Sequence, residues 1–213
     1  MNRNPVGAAA PARLAIVLLT MILASAPLSA CRKSGGSDEA APAQELSAIA
    51  AYPDADMSGY AGLRDSGTLA DYRDLTVADI ADLMEQGETF AFMASFSDCP
   101  WCNAVIAEVN AAALEAGSPL GILDTRKDPA WQSNMDLADY DLFTELFGEY
   151  LEYDDDGLLH LYAPHFFCLK EGAVVYQYQG ALPEMDSNPD TALSDAQKEA
   201  LTDIFRKGFD AIR

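Results

Sequence analysis

The chain is poor in positive charge. Its 213 residues hold 13 lysines and arginines against 34 aspartates and glutamates, a formal net charge of −21. Nucleic-acid binding needs clustered Lys and Arg to meet phosphates, so this balance excludes it as a principal role. Histidine is scarce as well: only His160 and His165 are present, in a His-x4-His spacing far from any cysteine pair. That spacing fits no compact zinc set. Long apolar runs are missing too. The longest core, Leu14–Ala26, is too short to cross a bilayer comfortably, and nothing after it reads as a membrane span. Half of the residues are nevertheless apolar, enough for one ordinary core.

The N-terminal run has the layout of an export signal. Arg3 and Arg13 provide a basic lead, Leu14–Ala26 an apolar core, and Leu28-Ser29-Ala30-Cys31 follows. These four residues resemble the bacterial lipobox. The resemblance implies cleavage before Cys31 and lipid attachment to its sulfur, which anchors the mature chain to a membrane of the bacterial cell envelope on the exported side. Arg32 and Lys33 would add attraction to anionic headgroups. Loss of residues 1–30 takes the formal charge from −21 to −23. Ser34–Gln44, rich in Ser, Gly, Ala, Pro and acid, reads as a flexible stalk. About 40 such residues reach roughly 35 Å. The expected division is a signal over 1–30, a tether over 31–68 and a folded domain over 69–213. Residues 46–68 fit either stalk or domain, with scattered Tyr, Leu and Ile among Gly, Ser and Asp.

Within the domain the elements follow in a readable order. Leu69–Asp74 suits a short edge strand. Thr76 caps a helix with Val77, Ile80, Leu83 and Met84 on one face and Gly87 as its stop. Thr89–Phe96 is an apolar run suited to a strand covered on both faces. A helix over Asn103–Ala116 stops at Gly117. Pro119–Asp124 reads as a second, parallel strand, and Leu137–Leu151 as a helix. His165–Lys170 and Ala173–Gln179 are strands joined by a Glu171-Gly172 turn. Ser194, with Gln197 three residues on, opens a last helix to Arg213. The expected fold class is α/β, a three-layer arrangement with a central mixed sheet flanked by helices.

Between the Thr89–Phe96 strand and the helix after it stands Cys99-Pro100-Trp101-Cys102. Two cysteines three apart on one helical turn can close and reopen a disulfide with little strain. At a helix N-terminus, unpaired N–H groups and the dipole favour a thiolate on the first of them. A thiolate that attacks and a thiol that releases the mixed disulfide are the minimal machinery of thiol–disulfide exchange.

This motif is followed by Ala163-Pro164-His165, then Phe166-Phe167-Cys168-Leu169-Lys170-Glu171-Gly172 and Gly180-Ala181-Leu182. Together they resemble the thioredoxin superfamily over about residues 69–213. The resemblance implies a thioredoxin-like fold with the dithiol at a helix N-terminus, Cys99 as attacking thiolate and Cys102 as resolving thiol. It implies a cis Pro164 that shapes the site together with Pro100 and Trp101 and keeps metal from the dithiol. Ala163 and His165 would flank an incoming substrate peptide. No cofactor is implied beyond the redox-active Cys99–Cys102 disulfide. The implied partners are cysteine-containing exported proteins and a redox partner in the membrane or envelope. A binding or assembly module that keeps the fold without catalysis is the alternative.

Several residues depart from this pattern or stand beside it. Thioredoxins proper carry a buried acid six residues before the attacking cysteine; here Met93 occupies that place. Asp98 directly precedes Cys99, where its charge should oppose the thiolate. Pro-Trp is closer to the Pro-Tyr of glutaredoxins. Cys168, in an apolar strand, reads as a buried, inert thiol, and His165 as a candidate proton carrier beside Cys99. Glu152–Gly157 begins like a calcium loop, but Ala163 falls where the twelfth-position acid is needed, so it reads as a solvated turn. Trp131 reads as the anchor of a long loop.

Overall fold

The computed structural model describes residues 48–126, 137–182 and 188–213. The expected signal, the expected lipid site at Cys31, the expected stalk up to residue 47 and Trp131 lie outside them. Among the described residues no helix is long and apolar enough to cross a membrane.

A five-stranded mixed sheet forms the middle layer. Its strands are β1 (Tyr72–Asp74), β2 (Phe90–Ser95), β3 (Leu120–Asp124), β6 (His165–Lys170) and β7 (Ala173–Gln179), in the spatial order β1-β3-β2-β6-β7. β3 runs parallel to both β1 and β2, whereas β6 runs antiparallel to β2 and β7. A two-stranded ribbon, β4 (Glu152–Tyr153) with β5 (Leu159–His160), stands apart from it. The helices are α1 (Val77–Glu85), α2 (Pro100–Ala116), α3 (Leu137–Phe147) and α4 (Asp195–Ala211).

Strand periodicity of two divides the core into two layers. Ala91 and Met93 of β2, Leu120 and Ile122 of β3, and Phe166 and Cys168 of β6 face α2 and α4. Phe90, Phe92 and Ala94, Leu123, Phe167 and Leu169 face α1 and α3. The second layer is built on aromatic contact. The rings of Phe92 and Phe147 lie 5.0 and 4.9 Å from Phe167, and Phe143 lies 4.8 Å from Phe147. Each such pair adds about 0.5–1.5 kcal/mol beyond its burial.

Local chemistry sets the element ends. The Asp79 N–H donates to Thr76 Oγ1 and the Thr76 N–H to the Asp79 carboxylate, a reciprocal cap on α1. Ser194 and Gln197 do the same for α4. Gly117 ends α2 in the left-handed conformation. The regular part of α3 ends at Phe147, and a 3-10 turn over Gly148–Tyr150 completes the helical stretch.

The described part of the expected tether belongs to the domain. From Ala48 on, the chain wraps the β1 edge of the sheet. Ile49, in a 3-10 turn, is buried in the α1/α3 layer. Residues 53–55 then bond to β1: the Asp74 N–H donates to the Pro53 carbonyl and the Ala55 N–H to the Tyr72 carbonyl. Met57, Tyr60 and Leu63 are buried in the opposite layer, against α2. The segment thereby covers an edge that would otherwise expose unpaired backbone. At Gly62 the approach is so close that a Cβ would stand 2.2 Å from the Asn103 carbonyl oxygen of α2. Gly62→Ala must displace this turn from α2. We expect a loss of about 1–3 kcal/mol in chemical denaturation, the usual cost of overpacking; a variant as stable as the parent would show that the contact carries no weight.

Candidate functional site

The site lies where β2 hands over to α2. Cys99 is the N-cap of α2, with Pro100 in the first helical position and Cys102 on the first turn. Pro suits that position because its missing N–H would have no helical partner there. The Cys102 backbone N–H donates to Cys99 Sγ at 3.1 Å, so the sulfur does what a serine or aspartate cap oxygen does. Both thiols are free, as is Cys168.

The two thiols of the motif differ sharply. The Cys99 thiol is held below the ordinary cysteine value. Hydrogen bonding from the Cys102 side chain is the main cause; backbone N–H groups of Cys102 and Trp101 and the Arg126 charge add to it and together outweigh burial. Burial pushes the Cys102 thiol well up, and a thiolate on Cys99 pushes it further. Cys168 serves as a comparison: buried with no compensating donor, it too is pushed up. It packs under α4, where a Cβ on Gly208 would stand 2.9 Å from its sulfur.

The Ala163–Pro164 peptide bond is cis. The Ala163 carbonyl oxygen lies 3.8 Å from Cys99 Sγ, and the Pro164 carbonyl accepts from the Gly180 N–H. Cys99, Pro100, Trp101 and Ala163 line a groove of ≈ 680 Å³, together with Phe96, Arg126, Tyr140 and the β4–β5 ribbon from Leu158 to Tyr162. The wall is largely apolar, and Leu158 and Tyr162 are exposed on it. Arg126 lies 4.0 Å above the Phe96 ring and 3.6 Å from the Asp98 carboxylate. Asp98 is 70 % exposed and paired with this cation, so its expected opposition to the thiolate is offset by solvent and by Arg126. Glu152–Gly157 forms the turn side of the ribbon, where the Asp154 carboxylate accepts from the N–H groups of Asp156 and Leu158.

His165 corrects the sequence reading. Its ring stacks on Phe167 at 4.1 Å in the α1/α3 layer, on the face of the sheet opposite Cys102. Its Nε2 pairs with Gln177 Oε1 at 2.8 Å, and its buried Nδ1 has no hydrogen-bond partner. It is therefore not among the residues that line the groove, and its ring faces away from the layer of Cys102. The histidine that lines the groove is His160, with Nδ1 4.0 Å from the Asp154 carboxylate. Among the described residues no group of three or more His, Cys, Asp or Glu side chains is placed to hold a metal ion.

Four contributors were missed in the sequence. Ser95 is fully buried on the strand face of Met93, and its hydroxyl opposes the upward push on the Cys102 thiol. Tyr60 Oη lies 2.7 Å from Ser95 Oγ. Asn103 ties the turn together: its Nδ2 donates to the carbonyls of Ser97 and Cys99, and its Oδ1 accepts from the Gly62 N–H. Arg126 supplies the nearby charge. Only Ser95 left a signal, as the polar end of an apolar strand on the same side as Met93. No protein-family model matches the chain, and no curated protein matches it in sequence.

Two outcomes follow. Reduced protein alkylated at neutral pH takes up one label, on Cys99, with a rate profile that inflects below that of an ordinary cysteine; Arg126→Ala moves the inflection upward. Equal labelling of Cys102, read by mass spectrometry, would contradict the asymmetry. His165 behaves oppositely to an ionised site. Burial lowers its pKa from 6.5 to about 4, so its contribution to stability is complete above 6.5 and is lost as pH falls toward 4. That loss amounts to about 3 kcal/mol at most. His165→Phe should flatten this part of the stability–pH curve; an unchanged slope would assign it to the carboxylates.

Proposed function

We propose that this chain is an exported thiol–disulfide oxidoreductase with a thioredoxin-like fold, anchored by lipid on Cys31 and acting on cysteines of other exported proteins. The observation that carries the reading is the asymmetry of the pair: one thiol activated at the mouth of a groove, the other buried one helical turn behind it with its proton retained. Such a pair performs exchange in two steps. Cys99 thiolate attacks a substrate disulfide, forming a mixed disulfide and expelling one substrate thiolate. Cys102 sulfur then attacks Cys99 Sγ, closing the Cys99–Cys102 disulfide and releasing the second substrate thiolate, while the Cys102 proton passes to solvent or to the leaving sulfur. In the reverse direction the same steps donate a disulfide.

Ala163 and the ribbon residues that line the groove offer an apolar seat for a peptide next to the reactive sulfur, and Trp101 closes its rim. The arrangement acts without a metal or organic cofactor, since the exchanged electrons reside in the dithiol. Direction depends on the reduction potential, which spans about −270 to −120 mV among related dithiol proteins; equilibration with a thiol buffer series measures it. A potential near the lower end makes the protein a reductase fed by an envelope electron donor, and one near the upper end makes it a disulfide donor.

The test of the reading is trapping. With a disulfide-bonded peptide, Cys102→Ser should accumulate a covalent adduct on Cys99 that dithiothreitol releases, whereas Cys99→Ser should form none. If Cys102→Ser forms no adduct, the non-catalytic binding module becomes the better account.

A further inference from the structure

Resolution of the mixed disulfide poses a chemical problem. Cys102 must attack as a thiolate, yet it is fully buried, in surroundings that hold its proton on. Met93, which faces α2 from β2 where an acid would help, has no proton-accepting group. Two residues further along the same strand face, Ser95 is fully buried on the side of the sheet whose layer holds Met93, Tyr60 and Cys102. Ser95 Oγ is in turn 2.7 Å from Tyr60 Oη. Tyr60 and Ser95 are themselves buried, so neither hydroxyl is there for solvation. Nor is the contact a chance of local sequence: Tyr60 comes from the segment that wraps the sheet edge, 35 residues before Ser95. The Gly62–Asn103 hydrogen bond and the close approach at Gly62 hold that segment to α2.

We propose that Ser95 and Tyr60 form a hydroxyl pair that stabilises the Cys102 thiolate in the resolving step, Tyr60 donating to Ser95 Oγ and Ser95 donating to Cys102 Sγ. The proposal rests on the exchange chemistry proposed above. In this role Ser95 bonds a reacting sulfur and is a catalytic residue; Tyr60 acts through it and is a positioning residue. Tyr60 fixes the direction of the serine hydroxyl, because an oxygen that accepts from the phenol keeps its own hydrogen for the sulfur. The pair donates hydrogen bonds and takes no proton. In the step it assists, the Cys102 Sγ–Cys99 Sγ bond forms, the bond from Cys99 Sγ to the substrate sulfur breaks, and the electron pair departs on that sulfur. The Cys102 proton goes to solvent or to the departing thiolate. Besides the two thiols, the titratable groups that face Tyr60 are Asp124 at the end of β3 and Tyr72 on β1. None of them changes in the variants below.

An aromatic disulfide that releases a coloured thiolate separates the two steps. Attack by Cys99 on 5,5′-dithiobis(2-nitrobenzoate) releases the first thionitrobenzoate, and attack by Cys102 releases the second. In stopped-flow absorbance, Tyr60→Phe and Ser95→Ala should leave the first release unchanged and slow the second by about tenfold or more, the worth of a hydrogen bond to a charged group. The pH at which the second release accelerates should move upward in both variants. The double variant should be no slower than Ser95→Ala, because Tyr60 acts only through Ser95. Ser95→Thr, which keeps the hydroxyl, should restore much of the rate. A second release as fast in Tyr60→Phe and Ser95→Ala as in the parent, with the same pH dependence, overturns the hydroxyl pair and leaves the exchange reading intact. Absence of the first release in the parent overturns both. Equal slowing of both releases marks a structural defect and also counts against the pair.

Discussion

The burial of β2 on both faces is the constraint from which the rest follows. A strand with apolar neighbours above and below cannot continue into solvent as a strand; its chain must leave the sheet at a fixed place and turn back over one layer. Here it leaves after Ser95, and α2 begins at Pro100. The first turn of that helix is therefore set at the end of the sheet, with its orphan N–H groups directed at Cys99 and its inner face directed at the core. The two thiols inherit these opposite surroundings from a separation of one helical turn.

The three described cysteines show how much the surroundings do. Burial raises a thiol in every case, since it penalises the charged form. For Cys168 nothing opposes it. For Cys102 the donors at hand, including the Ser95 hydroxyl, offset only part of it. For Cys99 the hydrogen bonds at the helix start and the Arg126 charge win. Position relative to a helix end thus divides chemically identical residues into a thiol favoured as the thiolate, a thiol that holds its proton and a packing residue.

Much of this was legible along the chain because it is local. The Thr76 and Ser194 caps, the Gly117 stop and the Glu171-Gly172 turn depend on residues a few positions apart, and the structure has each in place. Apolar runs gave β2 and β6 within a residue or two. Other features left no such trace. Residues 48–63 form short 3-10 turns without a repeating apolar pattern, so Ile49, Tyr60 and Leu63 read as scattered residues of a tether although each is buried in the core. The strands of the β4–β5 ribbon are two residues long, too short for alternation to register. The facing of His165 is hidden for a related reason: proximity in sequence to Pro164 says nothing about it, and a single step along a strand reverses it.

By itself, the sequence determined the kinds of element, their order, the dithiol with a proline at the start of a helix, and an acidic surface without the cations that phosphates require. These depend on periodicity, capping and composition, which act over short stretches of chain. Only the tertiary structure decided how deeply Cys102 is buried and which histidine lines the groove, and it alone brought Tyr60 and Ser95 together in the layer that holds Cys102. Those outcomes depend on burial and on contacts between segments tens of residues apart, and the energy of a buried hydroxyl or thiol is set by whichever groups the completed fold places around it.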